Sequence, residues 1–87
     1  MARYFLHVCN GNGFTEDEEG LELPNAAAAR AKAIEGLRDI MAAELKGGIV
    51  NMASFIEVED GDHKLVETVS FSDAVQMESR PGIRPGR

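Results

Sequence analysis

Residues 25–46 have fewer structural options than any other part of this chain. Ala26, Ala27, Ala28 and Ala29 are the strongest intrinsic helix formers. Beyond them Ala33, Ile34, Leu37, Ile40, Met41 and Leu45 recur at steps of three and four, which gives one apolar stripe. Arg30, Lys32, Glu35, Arg38 and Asp39 fall largely off it. Asn25 is placed to cap the free amides of the first turn, and Gly47-Gly48 suits a left-handed stop. About twenty residues at ~1.5 Å each make a rod of about 30 Å, longer than a typical strand. Gly36 interrupts the pattern and weakens the helix by ~1 kcal/mol relative to alanine, unless close packing on a strand requires it. Such a rod has a single side to bury, so its flanks must supply a surface.

Both flanks read as hairpins. Residues 3–9 are rich in aromatic and β-branched types, and Asn10-Gly11-Asn12-Gly13 is a doubled turn signal. Phe14 and Thr15 begin a return arm. The acidic run Glu16-Asp17-Glu18-Glu19-Gly20 interrupts it, and Leu21-Glu22-Leu23 resumes it, with a bulge expected at Gly20. After the helix, residues 54–59 and 65–71 form two further strands about Asp60-Gly61. Ser72 caps one helical turn over residues 72–75. The expected fold is α+β: a two-layer ββαββ arrangement, with one long helix on one face of a four-stranded, mostly antiparallel sheet. Residues 1–78 form a single domain, and 79–87, with two Pro-Gly pairs, a disordered basic tail.

Composition bounds the function. A chain of 87 residues holds one modest core, and a single cysteine leaves no internal disulfide to support it. No apolar run approaches the ~18 residues of a membrane span, and no signal-peptide stretch opens the chain. Fifteen acidic against nine basic side chains give a net charge of −6. Three of the bases, Arg80, Arg84 and Arg87, lie in the tail. A body this acidic repels a phosphate backbone, so nucleic acid is not an expected partner.

Strand alternation carries the functional argument. In the first strand Tyr4, Leu6 and Val8 share one side, and Phe5, His7 and Cys9 share the other. One helix covers one side only. If Leu6, Val8, Ile56, Val58, Leu65 and Val69 meet it, then Phe5, His7, Cys9, Phe55 and Val66 remain on the open face. A strand wetted on one face alternates more cleanly than this, and an apolar patch of that size marks a contact surface. These five residues are the expected interface, with a homodimer or another protein partner as its occupant. The alternative is that the loop at 14–20, or the chain near Met77, folds over this side.

Catalytic and metal chemistry find little support. His7 and Cys9 point the same way, but zinc wants three or four ligands, and the other histidine, His63, sits in the second turn. The run at 16–19 lacks the calcium-loop pattern, since Phe14 and Leu21 fall where oxygen ligands belong. The serines lack a nucleophile-elbow context, and Cys9 is mid-strand rather than at a helix start. No cofactor is expected and the chain is not expected to be an enzyme.

Arg3-Tyr4-Phe5-Leu6-His7-Val8, the turn at 10–13, and Asp17-Glu18-Glu19-Gly20-Leu21-Glu22-Leu23-Pro24 before an alanine-rich helix resemble a family of small bacterial proteins known only as a domain of unknown function. Phe55-Ile56-Glu57-Val58-Glu59-Asp60 and Val69-Ser70-Phe71 are similar to it as well. The resemblance covers roughly residues 3–75 and implies a cytoplasmic setting; it supplies no activity or site. In layout the chain also resembles HicB-type antitoxins, which occlude a small RNA-cleaving toxin. That likeness implies a second possibility, an antitoxin-like regulator whose acidic surface neutralises a basic protein partner.

Overall fold

The computed structural model describes residues 1–11 and 13–79. Of the expected tail at 79–87, residues 80–87 lie outside the described residues. The elements run β1 (Ala2–Asn10), β2 (Gly13–Thr15), β3 (Leu21–Leu23), α1 (Ala26–Lys46), β4 (Phe55–Glu59), β5 (Leu65–Ser70) and α2 (Phe71–Ala74). All pairings are antiparallel, in the order β2-β1-β4-β5, with β3 also paired to β1. The fold is α+β, as the residue pattern predicts. Among the described residues the strands number five rather than four, because the return arm of the first hairpin is split. β2 pairs with Val8–Asn10 and β3 with Ala2–Tyr4, and residues 16–20 leave the sheet between them.

Helix α1 starts where the sequence says it should. The Asn25 side chain accepts a hydrogen bond from the Ala28 N–H at 2.9 Å, satisfying one of the amides the first turn leaves free. At the other end Gly48 takes the left-handed backbone, φ +88°. The buried face of α1 is narrow and small: Ala29, Ala33 and Leu37. It packs on Tyr4, Ile56, Val58, Val69 and Phe71, with Leu6, Val8, Ile34, Ile40 and Met41 partly buried around them. Alanines let the helix backbone approach the sheet closely. Leu45, the last residue of the expected stripe, is exposed, because a 21-residue helix outruns five- and six-residue strands.

Two further differences have local causes. Between Val58 and Glu59 the β4–β5 register shifts, so Glu67 faces Val58 while Leu65 faces Glu59. This bulge turns Leu65 outward, 58% exposed, where simple alternation puts it beneath the helix. The short helix begins at Phe71 rather than Ser72, because the Asp73 carboxylate reaches back to accept from the Ser70 N–H at 2.9 Å. That turn drops Phe71, fully buried, into the core. Its N–H donates to the Ser54 carbonyl at 3.3 Å.

Candidate functional site

The face of the sheet away from α1 is built from Phe5, His7 and Cys9 of β1 and Phe55, Glu57 and Glu59 of β4, since residues two apart on a strand share a side. Register aligns them in rows. Cys9 lies between Phe14 of β2 and Phe55 of β4, His7 lies beside Glu57, and Phe5 beside Glu59.

This face is not bare. Phe5 is 7% and His7 5% exposed, yet neither belongs to the helix-side core. The chain covers them itself. His63 takes a left-handed backbone, φ +61°, and stacks its ring on Phe5 with centroids 4.5 Å apart. Phe14 tilts over His7 at 5.6 Å. Gly20 presses so close to β1 that a Cβ there would stand 2.8 Å from the Tyr4 carbonyl oxygen and 3.0 Å from the Phe5 ring. Open-face alternation leaves Phe5 and His7 uncovered; the structure corrects this in favour of the alternative, in which the loop at 14–20 folds over this side as a lid. Cys9 and Phe55 are half-buried. Val66, the extra residue of the bulge, is exposed.

Asp17 holds the lid. Its Oδ2 accepts from the Leu6 N–H at 3.1 Å, and its Oδ1 accepts from the Gly20 N–H at 3.0 Å. The carboxylate thus stands in for a strand where the return arm is broken, and the Leu6 and Gly20 amides keep an acceptor. Arg3 fastens the far end, donating to the Glu19 carbonyl and, at 3.1 Å, to the Glu22 carboxylate.

His7 is enclosed between two partners. The Asp17 backbone N–H donates to its Nδ1 at 3.0 Å, and its Nε2 lies 2.8 Å from Glu59 Oε1. A backbone amide can only donate, so Nδ1 must present a lone pair and the ring is the neutral Nε2–H tautomer. The Nε2–H then donates to Glu59. With both nitrogens engaged, His7 offers no lone pair to a metal or a substrate proton. Glu59 also meets His63 Nδ1 at 3.2 Å. The hydrogen bond from His7, and after it that from His63, holds the Glu59 carboxyl below the usual range for glutamate. Among the described residues, no three His, Cys, Asp or Glu side chains are grouped to hold a metal ion.

The residue pattern singles out Phe5, His7 and Cys9, and the alternative of a loop at 14–20 folding over them takes in Phe14 and Asp17 without marking either; Glu59 lies outside both readings. Glu59 is legible once the β1–β4 register is known; Asp17 is indistinguishable in sequence from the acids beside it.

No curated protein and no solved structure matches the chain, so the layout likeness to HicB-type antitoxins gains no support from relatives. No helix among the described residues is long and apolar enough to cross a membrane. One family model does match, over residues 3–72, which takes in α1, the lid and all of the sheet but Ala2. The chain belongs to that family, the domain of unknown function DUF6894.

Proposed function

We propose that this protein is a non-catalytic, cytoplasmic interaction module that self-associates through the part of the open sheet face its own lid leaves bare. The observation that carries this reading is the row Phe14–Cys9–Phe55 across three neighbouring strands, with Phe14 57% exposed. An exposed phenylalanine beside a half-buried cysteine and a half-buried phenylalanine supports a contact surface. Pairing with a second copy buries the same row twice about a two-fold axis. Phe5 and His7 lie under the lid, so they support the contact from beneath, and Val66 lies beyond the row.

The native mass at micromolar concentration tests this. A dimer is expected, and Phe14→Glu with Phe55→Glu should return a monomer with an unchanged helical signal. A wild-type monomer sinks the reading.

A second reading is favoured by the acids bordering the row. Glu57 lies on the same face, and Glu16, Glu18 and Glu19 are exposed in the lid. This rim suits a basic protein partner, as an antitoxin-like regulator would need. Such a partner should co-purify at low salt and be lost at high salt, whereas an apolar self-contact should survive both.

A further inference from the structure

We propose that residues 16–20 are a lid whose closed state requires neutral His7, and that protonation of His7 releases it. This goes beyond the interaction reading and does not depend on it. The clasp has one feature that a fixed loop does not need: the Asp17 backbone N–H is aimed at His7 Nδ1, 3.0 Å away. A proton arriving at Nδ1 puts two N–H groups head to head across that distance. No rotation of the buried ring relieves this, because Nε2 is committed to Glu59 at 2.8 Å. Taking up the proton and letting go of Asp17 are therefore one event.

From β4, Glu59 bonds the ring, and Glu57 is its register partner. From the lid come the Asp17 carboxylate and the flanking Glu16, Glu18 and Glu19. From the β4–β5 turn His63 reaches the same Glu59 oxygen, and β2 contributes only the uncharged Phe14. Arg3, near the start of β1, holds Glu19 and Glu22. These are the charged and titratable groups around the ring, and the Asp17 amide is the donor that a second ring N–H would meet. Release also strips Leu6 N–H and Gly20 N–H of their Asp17 acceptors and uncovers Phe5, which lies on the same side as Cys9 and the apolar row.

Solution NMR on the full chain tests the device. At neutral pH the His7 ring should show an unprotonated Nδ1 and a protonated Nε2. Across the titration of His7, followed on its ring protons, hydrogen-exchange protection at Leu6, Asp17 and Gly20 should fall at least about five-fold after correction for intrinsic rates, the worth of one lost hydrogen bond. Ile56 and Val58 should keep their protection. In His7→Gln the amide can still accept from Asp17 and donate to Glu59 without titrating, so the lid should be insensitive to the same pH change. His63→Ala should behave as wild type. Lid protection that stays flat while His7 titrates, a pH response retained in His7→Gln or lost in His63→Ala, or a protonated Nδ1 beneath a closed lid overturns the proposal. The wild-type titration decides the matter by itself if a variant fails to fold.

Discussion

Gly20 suits its place better than any residue with a side chain. Its φ of +72° is strained for any side chain, and a Cβ would stand 2.8 Å from the Tyr4 carbonyl oxygen. Gly20→Ala should destabilise the protein by about 1–3 kcal/mol, read as a lower urea midpoint, and should raise the exposure of Phe5 and His7. Glu59 makes a prediction of opposite kind. Folding lowers the value of its carboxyl, chiefly through His7. A group lowered by folding adds stability above its unfolded value, and that contribution is lost as pH falls through the folded one. Wild type should therefore lose stability below about pH 4.3 more steeply than Glu59→Gln does. Asp73 is lowered too, by accepting from the Ser70 N–H, but its share of the acid loss is common to both proteins, so the difference between them reports on Glu59. Both residues were visible in the sequence as a glycine and an acid. What made them consequential is the approach of a loop to β1, which no local pattern encodes.

At the scale of elements, legibility followed periodicity. Helix α1 was readable because its cap, its stripe and its stop agree on one answer, as in sequences whose local and global preferences coincide. Gly36 was the exception, tolerated in sequence only if a strand lay too close for a methyl group. It does not. A Cβ at Gly36 would meet only Ile56 Cδ1, at an ordinary 3.6 Å. Gly36→Ala should consequently raise stability by up to ~1 kcal/mol, measured by chemical denaturation. The strands were less legible at their ends. Alternation predicts Leu65 inward until the bulge opposite Glu59 shifts it, and a bulge leaves no mark in so short a strand. The turn after β4 also bends by a different device than Asp60-Gly61 suggests. The Asp60 carboxylate accepts from the Asp62 and Lys64 amides, and the left-handed residue is His63. That displacement is what brings an imidazole onto Phe5.

For the molecule as a whole, the sheet has two unlike covers: a rigid helix on one side and, on the other, a short acidic loop clasped by hydrogen bonds. Counting apolar side chains against a single helix points to the second face, and its alternative occupant, the loop at 14–20, is the one that covers Phe5 and His7. Asp17 shows how an acidic loop can do so: the carboxylate turns inward to backbone amides while its neighbours stay wet.

The central position of β1 has a consequence for how the chain is made. β1 leaves the ribosome before β4, with which it pairs, Cys9 opposite Phe55, so it waits through the synthesis of the entire helix before its inner neighbour exists. Closing so long a loop is slow, and nothing formed earlier seals the same edge. A fragment ending at residue 53 carries β1, β2, β3 and α1, yet it should melt without a cooperative transition by circular dichroism. The fold is therefore born late: β4 must be in hand before β1 gains the neighbour that shelters its inner edge.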